Sequence, residues 1–405
     1  KPMVYHEEAP IEDEFQTDND MDSNTSRGRE DAISDIPLGG TGVTGSMGVG
    51  GGGMAGCFGY RDGGGRRRAV ARFGGSKATE SAVEAALRWL KRHQEADGRW
   101  DCLKYSANER GRARGGDVGV TSLALLAFLG AGHTSRAGRF SGNVRRAQLW
   151  LVAQQDKQTG EVGPKDRADI GRAYNHAMAS LALAEAYGMT RDPELRGPAQ
   201  KAVDCVAAWQ NPYSGWRYRP RDGDADPSVT GWMLMAVKSA KISGLRVDST
   251  AFQGGVKLLD SATVKGGAKA GRTLYRHRGG SNGRWQSMTG VSLFCRLLMG
   301  YRRTDALLVR QADHLVGEPP DWKTMAGGDQ GHSMYYWYYG TLATFQMGGE
   351  HWNRWNARMK TALVPNQRRG GPLDGSVRDV DGSWDPISYW GLRGGRVYST
   401  AVNAL

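Results

Sequence analysis

AALRWLKRHQEADGRW, residues 85–100, is followed after a polar loop by VGVTSLALLAFL, residues 118–129. In and just before the first stretch, Val83, Leu87 and Leu90 recur at helical spacing with charged residues between them, which predicts a helix with one solvent-facing side. The second stretch carries no charge, which predicts a buried helix. A hairpin of this kind cannot bury its apolar face alone, so it must stack on similar units.

Five further copies of this pattern follow, starting near Trp150, Trp209, Val256, Ala312 and Met359. Equivalent residues are about 55 positions apart, well above the ~34 residues of the commoner helical repeats, which suits a helical hairpin with a substantial loop. The pattern therefore predicts an all-α chain of six hairpins, with charged helices outside and apolar helices inside a closed ring.

A glutamine and tryptophan motif accompanies the repeat: Gln94-x-x-x-Gly98-x-Trp100, preceded by Trp89-Leu90. It resembles the repeat of the terpenoid cyclase and protein prenyltransferase superfamily, which includes the squalene-hopene-cyclase-like toroids. The resemblance covers roughly residues 78–405 and implies an (α/α)6 toroid with an apolar lumen, in which Gln and Trp residues tie one hairpin to the next. The residues expected to act as such staples are Gln94, Trp100, Trp216, Trp285 and Trp384.

Composition divides the chain into residues 1–77 and residues 78–405. Residues 1–35 hold eleven acidic and three basic residues, a formal charge of −8 in a chain of +12, so the remainder carries +20. Gly-rich sequence and Arg66-Arg67-Arg68 follow, a composition that predicts an extended N-terminal arm. We expect the acidic arm to dock on a basic surface, its own or a neighbour's, and residues 1–65 to mediate self-association.

Both ends of the sequence add expectations. The chain begins at Lys1 and stops at Leu405, within the expected last inner helix, which would then be incomplete. A processed N-terminus favours an extracytoplasmic location. No uncharged run approaches the ~18 residues of a membrane-spanning helix.

The resemblance implies two kinds of catalytic site, of which the first is an Asp-x-Asp-Asp acid that protonates an alkene. Asp224-Ala225-Asp226-Pro227 matches it except at its last position, where Pro227 stands. Asp226 before Pro227 is also typical of a helix cap. We expect Asp226 to accept backbone N–H bonds, without a second carboxylate in contact, and therefore to be ionised. Asp224 and Asp226 are the catalytic candidates.

The second kind of site is a zinc ion held by Asp, Cys and His. Asp101-Cys102 and Asp204-Cys205 are adjacent pairs, whose side chains diverge on a helix, so no metal and no cofactor is predicted. The remaining candidates are aromatic or imidazole side chains near the inner helices, which could line the lumen or form core. They are His176, Trp232, His332, Tyr335, Tyr336, Trp337, Tyr338, Tyr339 and Tyr398.

The net positive charge of the chain makes nucleic acid a partner to consider. The arginines are spread along the sequence and no known nucleic-acid module is present, so we do not expect such a partner. Because both catalytic sets are incomplete, the sequence favours a non-catalytic structural or scaffold protein that assembles through its arm and toroid rim. The alternative is a class II terpenoid cyclase or a polyprenyl- or triterpenoid-binding enzyme that uses Asp226 and an aromatic lumen.

Overall fold

A computed structural model describes residues 61, 63–105, 116–163, 171–277, 280–281, 285–328 and 331–405. Within these residues the secondary structure is α-helical, apart from a 3-10 helix at Val364–Asn366, a hairpin of two short strands and two isolated bridges. The helices are α1 (Gly63–Arg72), α2 (Lys77–Arg92), α3 (Asp117–Gly130), α4 (Ser141–Ala153), α5 (Gly171–Thr190), α6 (Pro193–Trp209), α7 (Pro227–Ile242), α8 (Thr250–Ala262), α9 (Gln286–Leu298), α10 (Ala306–Gly317), α11 (Trp322–Ala326), α12 (Met334–Met347), α13 (Gly349–Leu363) and α14 (Gly391–Ala404), and the strands are β1 (Arg276–His277) and β2 (Gly280–Ser281).

The inner wall of the ring consists of α3, α5, α7, α9, α12 and α14. Each packs on the next, and α14 packs on α3, so the ring closes. The outer layer consists of α2, α4, α6, α8, α10 and α13, which pack against the inner helices. The predicted (α/α)6 toroid of six hairpins is confirmed. None of the helices in the described residues is long and apolar enough to cross a membrane.

The two layers follow from the sequence pattern of each helix. In α3, every side chain from Val118 to Leu129 is buried, as expected for an inner helix without charge. In α2, Ala86, Leu87 and Leu90 are buried while Arg88 and Lys91 are exposed, as expected for an outer helix. The outer helix covers the apolar surface that the inner helices turn away from the centre.

The segment assigned to the arm contains a structured part that packs on the chain's own toroid. Helix α1 covers the end of the ring at which the inner helices finish, and Trp352 Nε1 donates to Phe73 O at 2.8 Å. Residues 1–65 are the segment expected to mediate self-association. Of these, residues 1–60 lie outside the described residues.

Candidate active site

Asp226 begins inner helix α7 at the end of the ring opposite α1. Pro227 follows at the first helical position, where its missing N–H costs no hydrogen bond. Asp226 Oδ1 accepts from Ser228 N at 2.9 Å and from Val229 N at 3.0 Å. The side chain is fully buried, so the cap also places a carboxyl group in a dry environment.

Burial decides the protonation of Asp226. It raises the pKa of the carboxyl to about 6, although the N–H bonds from Val229 and Ser228 and the charge of Arg217 all act to lower it. The expected N–H bonds to Asp226 are present and favour its charged form, but desolvation outweighs them and moves the pKa of the carboxyl upward. Asp226 exchanges its proton near neutral pH.

Arg217 connects the two candidate carboxylates. Its Nε lies 3.7 Å from Asp226 Oδ2, and its Nη1 pairs with Asp224 Oδ2. Asp226 Oδ2 and Arg217 Nε are both buried and form an ion pair with each other. The Tyr275 side chain also acts on the carboxyl as a hydrogen-bond donor, and Oδ2 takes no part in the helix cap.

Tyrosine hydroxyl groups surround Asp226. Tyr174 donates to Ser228 Oγ at 2.7 Å, and the same Oγ is 2.7 Å from the hydroxyl of Tyr335. The hydroxyl groups of Tyr218 and Tyr275 are hydrogen-bonded to each other. Burial first, and then the nearby Asp226 charge, raise the pKa of all four tyrosines. These hydroxyls therefore remain neutral and can donate hydrogen bonds.

Behind this polar cluster, Trp232, Tyr335, Tyr338 and Tyr339 form an aromatic centre in the ring. Trp232 stacks on Tyr338 with ring centroids 5.5 Å apart and meets Tyr339 edge-on at 5.6 Å. Tyr398 is also buried, and its hydroxyl has no hydrogen-bond partner in the described part of the chain. The structure thus brings Asp226, Trp232, Tyr335, Tyr338 and Tyr339 together at the core of the toroid.

Other lumen candidates lie between the two helical layers. Tyr336 donates to Glu318 O at 2.7 Å, and Trp337 packs against Trp322. His332 lies 3.4 Å from Glu318. Tyr336 and Trp337 turn away from the aromatic centre because residues at successive positions of α12 point in different directions, and His332 precedes this helix.

His176 has a structural role. Its Nδ1 accepts from Val162 N at 3.1 Å, and burial lowers its pKa to about 3, so it is neutral. Of the two alternatives for His176, lumen or core, the contact of its ring with Trp209 of outer helix α6 favours the core.

The glutamines of the repeat motif join neighbouring hairpins. Gln94 Nε2 donates to Gly98 O and to Asn143 O, both at 2.9 Å. Gln155, Gln210 and Gln367 make the equivalent pair of bonds. In each pair one acceptor belongs to the same hairpin's loop and the other to the next outer helix, so one side chain links the two units.

The tryptophans of the motif fix the loop between helices. Trp100, Trp216 and Trp384 donate from Nε1 to a carbonyl at or near the end of the preceding outer helix. Trp285 differs, because it is partly exposed and stacks under Arg272 at 3.9 Å. In this fourth repeat the backbone N–H of Thr273 bonds to Thr289, as that of Trp216 bonds to Thr230. Thr273, and not Trp285, therefore occupies the stapling position.

Asp101, Cys102 and Asp117 form a group whose ligand atoms lie within 4.8 Å of one another. The adjacent pair converges because it lies in a turn, not on a helix. Burial, and then Asp117, raise the pKa of the Cys102 thiol to about 12, which keeps it protonated. Arg99 pairs with Asp117 at 3.2 Å and lies 3.6 Å from Asp101.

Four further residues of the site were not predicted from the sequence: Arg217, Tyr218, Tyr174 and Tyr275. Arg217 and Tyr218 directly follow the staple Trp216, and Tyr275 follows the equivalent position of the next repeat, Thr273, by two residues. A comparison of residues one and two positions after each staple would have found the loop positions that surround the start of α7.

No family model matches the sequence, and none of the curated proteins matches it. Solved structures share the fold at low identity. The GH76A α-1,6-mannanase of Salegentibacter sp. HEL1_6, as an inactive variant in complex with α-1,6-mannotriose, matches at 12% identity with a TM-score of 0.52, covering 81% of this chain and 98% of that one. The unsaturated glucuronyl hydrolase of Bacillus sp. GL1 matches at 12% identity with a TM-score of 0.53, covering 80% and 95%. A type II terpene cyclase from Scytonema matches at 14% identity with a TM-score of 0.49, covering 81% and 96%.

These comparisons correct the expected role. The mannanase and the glucuronyl hydrolase are enzymes built on this toroid, so the prediction of a non-catalytic scaffold is contradicted. At sequence identities this low, the similarity shows a shared fold and gives no information about the substrate. The α/α toroid that the resemblance implied is the fold of this chain, and that fold is similar to the folds of the mannanase and the glucuronyl hydrolase.

Proposed function

We propose that this protein is an acid-catalysed hydrolase of glycosidic bonds, with Asp226 as the general acid. One observation carries the proposal: a fully buried carboxyl with a pKa of about 6 has one oxygen, Oδ2, that takes no part in the helix cap. A general acid is most effective when its pKa lies near the working pH. The oxygen that carries the proton must also be free to reach the substrate.

The surrounding groups suit a carbohydrate better than an apolar chain. Neutral tyrosine hydroxyls at Tyr174, Tyr218 and Tyr275 can hydrogen-bond to sugar hydroxyls. Arg217 supplies further N–H donors beside both carboxyls. A site of this composition would bind a polar, uncharged or acidic sugar close to the start of α7.

The reaction assigns one role to each carboxyl. Asp226 donates its proton to the glycosidic oxygen as the bond from that oxygen to the anomeric carbon breaks. Asp224, paired with Arg217, takes a proton from the attacking water, whose oxygen bonds to the anomeric carbon. The products are two sugars with free hydroxyls, and the two carboxyls exchange protons with water to restore the starting state.

The test is a screen of oligosaccharides and aryl glycosides, beginning with α-1,6-mannooligosaccharides and unsaturated glucuronyl sugars, the classes named for the mannanase and the hydrolase of similar fold. We expect cleavage of at least one class by the wild-type protein. Asp226→Asn keeps a capping oxygen but cannot donate a proton, so it should reduce kcat by about 10²–10⁴-fold.

Asp248→Asn is the control, since Asp248 is an exposed aspartate whose Oδ1 accepts the N–H of Thr250, the first residue of outer helix α8. It should leave kcat unchanged. The proposal fails if no glycoside is cleaved, or if Asp226→Asn is as active as the wild type.

A polyprenyl or triterpenoid ligand is the second candidate. The observation that favours it is the aromatic centre, because Trp232 and Tyr339 present π faces and edges close to Asp226 that could pack against an isoprenoid chain. Incubation with polyprenyl substrates and analysis of the extracted lipid tests it. Retention of a prenyl lipid without sugar cleavage would favour this candidate over the first.

Self-association through residues 1–65 is a further proposal about partners. The charge of −8 on residues 1–35 against the basic remainder supports it. Sedimentation at low and high salt tests it, because contacts between these charges weaken as salt screens them. A single sedimentation coefficient at all salt and protein concentrations would oppose it.

A further inference from the structure

A partly exposed tryptophan stands at the mouth of the ring beside the proposed active site. Trp390 precedes inner helix α14, and its ring centroid lies 6.1 Å from that of Tyr174 on α5. Helix α3 separates α14 from α5 around the ring, so this contact reaches across the mouth past the start of α3. Tyr174 donates to Ser228 Oγ at 2.7 Å. Trp390 is therefore one side chain away from the residues that surround Asp226.

A guanidinium group lies over Trp390 and its neighbour Tyr389. Arg393 Cζ is 4.3 Å from the ring centroid of Tyr389 and 5.2 Å from that of Trp390. The two rings meet edge-on with their centroids 5.1 Å apart. Arg393 is exposed and has no carboxylate partner among the described residues. Cation–π contacts with two rings hold this guanidinium in place and leave its N–H groups available to a ligand.

The turn that begins α14 is held in place by its own hydrogen bonds. Ser388 Oγ accepts the N–H of Gly391 at 3.2 Å, and Ser388 O accepts that of Leu392 at 2.8 Å. Gly395 then adopts a φ of +71°, a left-handed conformation that favours glycine, and this residue separates the first turn from the rest of α14. The side chains carried by this turn are therefore preorganised, which lowers the cost of binding a ligand.

We infer that Trp390 and Arg393 form a subsite for an acidic sugar ring, next to the sugar whose bond Asp226 would cleave. The apolar C–H face of the ring packs on the indole of Trp390, and its carboxylate pairs with the guanidinium of Arg393. A planar guanidinium matches the two oxygens of a carboxylate. The inference rests on the proposed hydrolase and narrows its substrate to an oligosaccharide that contains uronic acid.

A single-stranded nucleic acid also offers anionic groups and flat rings. The groups next to the subsite favour the sugar. The hydroxyls of Tyr174 and Tyr218 can bond to sugar hydroxyls, whereas the carboxyls of Asp224 and Asp226 would repel the phosphate that accompanies every nucleotide. One carboxylate at the mouth and hydroxyl groups further in suit both parts of the site.

The probes are α-1,4-trigalacturonate and β-1,4-trimannuronate, each compared with its methyl ester in calorimetric titrations of the full chain. Acid and ester differ in the charge of their carboxyl groups. We expect at least one acid to bind about tenfold or more tightly than its ester, since only the acid forms a charge-assisted pair with Arg393. If neither acid binds more tightly than its ester, or if an oligothymidylate binds more tightly than both acids, the inference is wrong.

Arg393→Gln removes the charge and keeps a side chain that can donate hydrogen bonds. It should weaken binding of the acid by about tenfold and leave binding of the ester unchanged. Arg145→Gln is the matched control, because Arg145 is an exposed arginine of outer helix α4 and the two variants have the same net charge. The control should keep the full preference for the acid. A preference that survives Arg393→Gln, or that both variants lose equally, would exclude Arg393 as the recognition group.

Trp390→Ala tests the stacking surface. Binding of the ester is the quantity to follow, because the ester makes no ion pair and its affinity does not depend on the position of Arg393. We expect this affinity to fall by about five- to tenfold, since the flat apolar contact is lost. An unchanged affinity for the ester would show that no sugar ring lies on Trp390.

Binding and cleavage test the subsite and the hydrolase separately. Acid-selective binding that depends on Arg393, without cleavage, would support the subsite and overturn the hydrolase. Cleavage of neutral sugars without any preference for acids would overturn the subsite and support the hydrolase. If an acidic sugar is cleaved, Arg393→Gln should raise KM about tenfold and change kcat less than about twofold, because Arg393 touches no reacting atom. A loss confined to kcat would contradict a role in binding.

Discussion

Asp226 is both a helix cap and a buried acid, and these two roles use different oxygen atoms. Oδ1 accepts the two N–H groups that begin α7, and Oδ2 faces Arg217. Capping alone would lower the pKa of the carboxyl, but removal from water raises it further than the cap lowers it. The sequence Asp-Pro predicts the cap. It contains no information about the burial of the Asp226 side chain, because that burial results from packing against other repeats.

The raised pKa of Asp226 predicts a pH-dependent stability. The native state holds this proton up to about pH 6, whereas the unfolded chain releases it near its ordinary value of 3.8. The unfolding free energy from this group is therefore greatest below about pH 4 and falls as pH rises, by roughly 3 kcal/mol once pH exceeds 6. Asp226→Asn has no proton to lose and should lack this decline.

Urea unfolding of wild type and Asp226→Asn at pH 4, 5, 6 and 7 measures the effect. Because other carboxyls titrate in the same range, the quantity to follow is the difference between the two proteins at each pH. The variant should gain stability relative to the wild type as pH rises. A difference that stays constant across this range would show that Asp226 has an ordinary pKa in the folded protein.

At the scale of helices, α12 and α13 approach each other at a glycine. A β-carbon at Gly340 would lie 2.3 Å from the ring of Trp355, whose Nε1 donates to Thr341 Oγ1 at 2.9 Å. Trp355 is fully buried and fixed by this bond, so the ring cannot move aside easily. The contact sets the distance between this inner helix and its outer partner.

Gly340→Ala should therefore destabilise the protein by about 1–3 kcal/mol through overpacking, despite the better helix propensity of alanine. Gly142→Ala is the matched control, because Gly142 lies inside helix α4 and a β-carbon there would meet only the end of the Arg146 side chain, at 3.7 Å. That variant should gain about 0.5–1 kcal/mol. Urea unfolding of both proteins gives the comparison, and equal effects of the two substitutions would contradict it.

The positions of the helices could be predicted from the sequence more completely than which face of each helix points toward the centre of the ring. Residue type alone predicts that the apolar run Val118–Leu129 is buried and that one face of α2 is exposed to solvent. In α12, five consecutive aromatic residues fit any rotation of the helix, so the inward position of Tyr338 and the outward position of Tyr336 depend on packing against α7 and α13. The fourth repeat shows the same limit, since Trp285 matches the motif but lies twelve residues after the stapling position at Thr273.

Only part of the candidate site could be predicted from the sequence. Asp224 and Asp226 are neighbours in the chain, and their pattern is recognisable without a structure. Tyr275 and Tyr174 reach them from the next and the preceding repeat, about 50 residues away in either direction. Contacts between repeats arise from the stacking of hairpins, so the residues of one repeat do not encode them.

At the scale of the whole ring, Gln367 joins the last hairpin to the first. Its Nε2 donates to Ala82 O at 2.7 Å and to Gly382 O at 2.8 Å, and the side chain is buried. Gln367→Leu keeps a similar volume but removes both bonds, so it should lower the unfolding free energy by about 1–3 kcal/mol. Gln158→Leu, at an exposed turn, should change it by less than about 0.5 kcal/mol. Denaturant unfolding measures both, and an unaltered midpoint for Gln367→Leu would show that this bond pair does not hold the ring closed.

The packing of α14 on α2 and α3 also constrains the order in which the molecule can be made. An open stack of helical repeats can fold step by step as it leaves the ribosome, because each unit needs only its neighbour. Here the first hairpin lacks one of its partners until the last has been synthesised, and the bond from Gln367 to Ala82 spans 285 positions. Until then the flank of α3 that will receive α14 exposes apolar side chains to the cell. The growing chain should therefore depend on chaperones late in synthesis, and a ribosome stalled before α14 should carry a protease-sensitive nascent protein.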